Sequence, residues 1–278
     1  MKPTELQRPR RGFTLVELVM VIALSGIVMV MISTVMTRPL QGFFDSSRRA
    51  ELTDLAAMGL SRIARDIRDA VPNSLCLGDT CEEGAGVSLR LMSISTAGRY
   101  QANTMDAGTE RFDPPRCPVT GNCMIPVLGS PANVPTGQHW LIIYNTGGDM
   151  PGSSVWSSQS VNPSVMSDRV FQLSGTSLIG TAPGFQFKYA SPQHRFYLAR
   201  EVVRYRCEGS RLLRESASDL AFSTSLSSQV VLGSLRECRF VYEPGDNSRL
   251  GLATLQVTLE QKGERVTLVR QVQVNNAP

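Results

Sequence analysis

Histidine is nearly missing from this 278-residue chain, which holds only His139 and His194. Neither has the spacing of a metal site, and the sequence contains neither a G-x-S-x-G elbow nor a glycine loop that would cradle phosphate. His139 precedes Trp140 at a strand start and reads as a surface or packing residue, and His194 reads as structural. Asp246-Asn247 could help to ligate calcium, but acidic ligands are too sparse to make a calcium site, and Pro244-Gly245-Asp246-Asn247 is β-turn chemistry first. No catalytic residue, cofactor or metal emerges, and the chain reads as a non-enzyme. A membrane-anchored periplasmic enzyme is the weakest of the available readings.

Charge is missing over a second span. From Leu18 to Met36 there are 19 residues without a charge. At about 1.5 Å per residue such a helix is about 28 Å long, close to the ~30 Å hydrocarbon thickness of a bilayer. An excess of basic charge is missing too. The net charge is +4, but residues 1–12 carry Lys2, Arg8, Arg10 and Arg11 against Glu5, so the remainder holds only +1. That excludes a phosphate-tracking surface, and no nucleic-acid partner is expected. The same cations suit a cytoplasmic N-terminus with the rest of the chain sent across the membrane. Nor is there a clear A-x-A site behind the apolar run, whose length also exceeds the 7–15 residues of a secretory signal.

What is present begins at Arg10-Arg11-Gly12-Phe13-Thr14-Leu15-Val16-Glu17. A carboxylate at the start of a membrane segment costs on the order of a few kcal/mol when unpaired, so it requires a cation. The stretch resembles the prepilin-type signal of type IV pilins and type II secretion pseudopilins, [K/R]-G-F-T-L-x-E. That resemblance implies cleavage between Gly12 and Phe13 by a prepilin peptidase/methyltransferase and N-methylation of Phe13. It also implies that Glu17 neutralises the Phe13 amine of a neighbouring subunit during assembly.

Six cysteines, Cys76, Cys81, Cys117, Cys123, Cys207 and Cys238, all follow the apolar run, on the side expected to be oxidising. An even number there suggests disulfides. Proximity in sequence favours Cys76–Cys81 and Cys117–Cys123, leaving Cys207–Cys238. A zinc site built from the first four is the alternative, at spacings looser than zinc usually takes.

The chain divides into a leader at 1–12, a transmembrane and assembly helix at 13–37, an amphipathic continuation at 38–72 and a β-rich domain at 73–278. Arg38-Pro39 predicts a bend, or else a break into two helices. Leu52, Leu55, Ala56, Leu60, Ile63, Ile67 and Ala70 recur at helical spacing. Arg62/Asp66 and Arg65/Asp69 are candidate i,i+4 pairs, and Pro72-Asn73 ends the helix. Val87 to Ile94 and Trp140 to Tyr144 read as strands. Residues 97–137 read as a surface loop stapled by Cys117 and Cys123, and 146–168 as a segment of low order. From Val203 onward, period-two alternation between short turns predicts an antiparallel sheet with one buried face, on which Cys207 and Cys238 join neighbouring strands. The fold class is α+β: a long membrane-spanning helix packed on an antiparallel sheet domain.

Val202-Val203-Arg204-Tyr205-Arg206-Cys207, a glycine turn and Leu212-Leu213-Arg214 resemble J-type pseudopilins and related minor pilins. Ser191-Pro192-Gln193-His194-Arg195-Phe196-Tyr197-Leu198 and the ending Val272-Gln273-Val274-Asn275-Asn276-Ala277-Pro278 are similar to the MshO family, minor pilin-like proteins encoded with the mannose-sensitive haemagglutinin (MSHA) type IV pilus. The resemblance implies a role in priming the pilus or in its tip complex. It implies partners among other minor pilins and the major pilin, and a location in the bacterial inner membrane with the C-terminal domain periplasmic, then in the pilus. A pseudopilin of type II secretion and a filament-borne adhesin acting through its loops are the alternatives.

Overall fold

The computed structural model describes residues 12–81, 84–105, 109–129, 135–245 and 249–274, apart from the side chains of 36–41 and 226. Two compact units make up the chain, 1–51 and 52–278.

A single helix, α1, runs from Leu15 to Arg68, 54 residues in all. It passes unbroken through Pro39, so the two-helix alternative is wrong. Thr14 caps it, its Oγ1 accepting from the Glu17 amide at 3.3 Å. Leu15–Val35 is long and apolar enough to cross a membrane, and none of it is buried. In the second unit, Leu52, Ala56, Leu60, Ile63 and Ile67 form the buried stripe that the sequence predicts, whereas Leu55 is exposed.

The helix ends earlier than Pro72-Asn73, because the sheet captures the chain first. Ala70 pairs with Ser93, the Val71 amide donates to Met92 O at 2.8 Å, and Asp69 O accepts from the Ile94 amide at 3.0 Å. Both predicted i,i+4 pairs are also absent. Asp66 turns inward to the sheet, Arg62 donates to Gln229 at 2.8 Å, and Arg65 and Asp69 form no ion pair among the described residues.

Fifteen strands follow among the described residues: β1 (Cys76–Leu77), β2 (Gly84–Gly86), β3 (Ser88–Tyr100), β4 (Asn103–Thr104), β5 (Arg111–Phe112), β6 (Cys123–Leu128), β7 (His139–Ile142) and β8 (Met166–Ser174). Then come β9 (Ser177–Gly180), β10 (Arg195–Glu208), β11 (Arg211–Ala217), β12 (Ser225–Leu232), β13 (Leu235–Glu243), β14 (Gly251–Gln261) and β15 (Glu264–Val274). Instead of one sheet there are two large ones and a ribbon. Nine strands run β1-β3-β6-β9-β8-β7-β10-β11-β12, four run β15-β14-β13-β2, and β4 pairs with β5. Every ladder is antiparallel.

β3 also pairs with β10, from Ser88↔Arg206 to Arg99↔Arg195. That extra ladder closes β3-β6-β9-β8-β7-β10 into a ring of six strands, a small barrel. Register shifts between Leu198 and Ala199, and between Ala199 and Glu201, divide the long ladder in two. Such bulges bend and re-aim a strand. On one side of the shift Leu89, Leu91, Val203 and Tyr205 pack with α1 and with Phe240, Leu255, Val257 and Leu259 of the four-stranded sheet. On the other side Tyr100, Phe196 and Leu198 join Ile125, Leu141, Phe171 and Leu178 in the barrel core. The barrel is therefore a second hydrophobic core, separate from the helix.

The 97–137 segment is correspondingly not a surface loop. It supplies the end of β3 and all of β6, and its cysteines are buried in the barrel core. Residues 146–168 are tied down as well. Ser154 caps a short 3₁₀ helix at Val155–Ser157, and Asn162 bonds the Gly184 carbonyl and the Gln186 amide. Small polar residues bonding local backbone, rather than apolar periodicity, fix that segment.

Candidate processing and assembly site, and the residues around it

The charged residues ahead of Gly12, Arg10 and Arg11 included, lie outside the described residues. Gly12, Phe13 and Thr14 precede the helix without regular structure and are exposed, Phe13 at 79%. Thr14-Leu15-Val16-Glu17 has the sequence of a capping box, with Glu17 at the third helical position. A carboxylate there is favoured by the helix dipole and stands beside amides without helical partners. The cap thus fixes Glu17 within one turn of Phe13, ahead of a bare apolar surface that includes Leu18, Val19, Ile22 and Leu24. A bare face of that length is stable only in lipid or against other apolar helices.

Three disulfides are formed, Cys76–Cys81, Cys117–Cys123 and Cys207–Cys238, and there are no free cysteines. The zinc alternative is thereby overturned. Cys207 lies on β10 and Cys238 on β13, so this bridge joins the two sheets rather than neighbours within one.

Neither histidine forms a reactive constellation. His139 is fully buried, its Nδ1 donating to Gly137 O at 2.8 Å while Nε2 has no hydrogen-bond partner among the described residues. Burial, with Arg200 and Arg169 nearby, pushes its pKa down against the bond to Gly137. His194 Nε2 lies 3.0 Å from Asp113 Oδ2, and Tyr100 donates to Asp113 Oδ1 at 2.8 Å. The Ser191 amide donates to the same Tyr100 hydroxyl at 3.0 Å. Buried in the barrel, that phenol is held well above its ordinary pKa, chiefly by desolvation. The cluster pins the segments around Asp113 and Ser191 to the barrel mouth. Asp246-Asn247 falls outside the described residues.

Two polar groups escaped the sequence reading because their partners are remote. Asp66 on α1 accepts from Tyr205 Oη and from Arg214 Nε, both at 2.7 Å, tying the helix to β10 and β11. Arg90 on β3 is 8% exposed, with its guanidinium 4.7 Å from the Trp156 ring centre and Nη2 2.6 Å from Asp79 O. Burial pulls its pKa down, Asp79 opposes that and Arg204 adds to it. Alternation marks Arg90 as part of a strand but not as a buried cation.

A long apolar helix followed by a helix packed on antiparallel sheets gives an α+β, pilin-like fold whose N-terminal stretch is long and apolar enough to cross a membrane. Residues 7–33 match the family model for the prokaryotic N-terminal methylation motif, which implies processing by a prepilin peptidase. No curated protein and no solved structure matches the chain.

Proposed function

We propose that this chain is a minor pilin of an MSHA-type type IV pilus, cut between Gly12 and Phe13, methylated on Phe13 and taken into the assembly complex that primes or tips the fibre. The observation that carries the reading is Glu17, exposed in the first turn of the motif-bearing helix and directly ahead of its apolar run. An isolated carboxylate at that depth needs a cation, and the freed Phe13 amine of an adjacent subunit supplies one. The chain then spans the inner membrane with its N-terminus cytoplasmic and the 52–278 unit periplasmic until the fibre is extruded. Its partners are the major pilin and other minor pilins, and its role is structural.

Glu17→Ala tests this in a strain lacking the wild-type chain. The variant should still yield N-methylated Phe13 by mass spectrometry and should be lost from the sheared filament fraction. Normal incorporation of the variant would overturn the assembly role. The minor-pseudopilin reading predicts instead a secretion defect with piliation intact.

A further inference from the structure

Arg90 is a buried cation that forms no ion pair with a carboxylate among the described residues, although the charge of Asp79 lies near enough to favour it. Its hydrogen bonds go to the Asp79 carbonyl and toward sulfur: Nη2 lies 3.4 Å from Cys76 Sγ and 3.8 Å from Cys81 Sγ, while Nε is buried and unbonded. A buried guanidinium that rests on one carbonyl and on sulfur is costly to keep, and sulfur in a disulfide is a poor acceptor for it. The group that would satisfy it is a thiolate. Neither of the other two disulfides has an arginine or lysine side chain bonded to its sulfurs among the described residues.

Access is equally specific. Cys76 is 1% exposed, whereas Cys81 is only partly covered. Both line a cleft of about 600 Å³ whose wall also includes Arg90, Asp79, Trp156 and Asp149. Cys81 has φ +59°, a left-handed conformation that a residue bearing a Cβ holds only while its surroundings impose it. Opening the five-residue separation between the two cysteines releases that constraint.

We propose that Cys76–Cys81 is a thiol–disulfide exchange site, attacked from the cleft at Cys81 by a thiol, with Cys76 as the leaving group. In the first step the incoming thiolate forms a bond to Cys81 Sγ, and the Cys76–Cys81 bond breaks. Its electron pair departs on Cys76 Sγ, which Arg90 stabilises as thiolate. A second thiol then displaces Cys81, so that two thiols are oxidised to one disulfide and the protein pair is reduced by two electrons. A leaving thiol of lowered pKa departs faster, and a neighbouring guanidinium lowers that pKa. The pair lies at a joint. β1, which contains Cys76, belongs to the nine-stranded sheet, and β2, just beyond Cys81, belongs to the four-stranded one.

Glutathione is the probe, applied to full-length protein in detergent at non-denaturing concentration. The reaction is quenched by alkylation and read by peptide mass spectrometry. Cys76–Cys81 should open on the order of tenfold faster than either other pair, with the mixed disulfide on Cys81. Arg90→Met should slow that opening by about tenfold, and Arg90→Lys should recover part of it. Circular dichroism reports whether Arg90→Met is folded. If it is not, the relative rates of the three pairs and the position of the glutathione adduct in the wild-type chain decide the matter. Opening of all three pairs together, an adduct on Cys76, or a folded Arg90→Met variant that reacts at the wild-type rate would each overturn the proposal.

Discussion

At the scale of single residues, position in sequence revealed chemistry only where chemistry is local. The setting of Glu17 is legible because the helix start, its Thr14 cap and its dipole are all contained in one turn. Asp66 is not. Its spacing from Arg62 suggests a solvent-side pair, but its partners are about 140 residues away in Tyr205 and Arg214. Asp66→Ala should therefore destabilise the second unit by about 2–4 kcal/mol, since it strands a buried phenol and a mostly buried guanidinium. Tyr205→Phe should cost about 1 kcal/mol, both variants being read from urea midpoints. His139 gives a pH signature of known sign. With its folded pKa depressed, the unfolded chain takes up a proton that the folded chain resists once pH falls below about 6.5. The His139 contribution to stability is complete above that value and declines as acid is added. His139→Phe should flatten the fall in melting temperature between neutral pH and pH 5, and an unchanged slope would assign the acid sensitivity elsewhere.

Among the elements, helix and strand identities follow from periodicity, but partners do not. The β10–β11 hairpin was readable from alternation around Gly209, which takes the left-handed φ +56° its turn demands. The Cys207–Cys238 bridge looks like a link between adjacent strands because alternation reports which side a residue faces, not which sheet it belongs to. As a link between sheets it closes the longest of the three loops, at a separation of 31 residues. Replacing both cysteines with serine should cost about 3–4 kcal/mol, against roughly 2–3 for the short Cys117–Cys123 loop in the chain-entropy treatment. Calorimetry on the two double variants ranks them. The helix meets the sheet closely at Gly59, where an added Cβ would lie 2.6–2.8 Å from the Leu232 side chain. Gly59→Leu should overpack this contact and cost on the order of 1–3 kcal/mol despite its better helix propensity.

For the whole molecule, the α+β plan was legible from the run of apolar residues and the period-two stretches, and the barrel was not. Its closing ladder joins β3 to β10, about 100 residues apart, and its two ends obey the same alternation whether or not they meet. The composition of 97–137 also misled, because glycine, proline and asparagine there serve turns between buried strands. Removing residues 117–123 should consequently collapse the barrel core rather than trim a loop. Such a deletion would unfold the domain by proteolysis assay instead of sparing the filaments and abolishing attachment. An adhesive role, if present, is better sought with point substitutions on exposed residues.

Because the six barrel strands form a ring, each has a neighbour on both sides. None can peel away without leaving the others with bare amides and an open core. The amides of β6, β8 and β9 should therefore exchange with deuterium as one cohort, at a single opening free energy, although they lie outside the helix-packed core. Under mechanical load the β-rich unit would in that case yield in two steps, the ring keeping its shape until it gives way all at once.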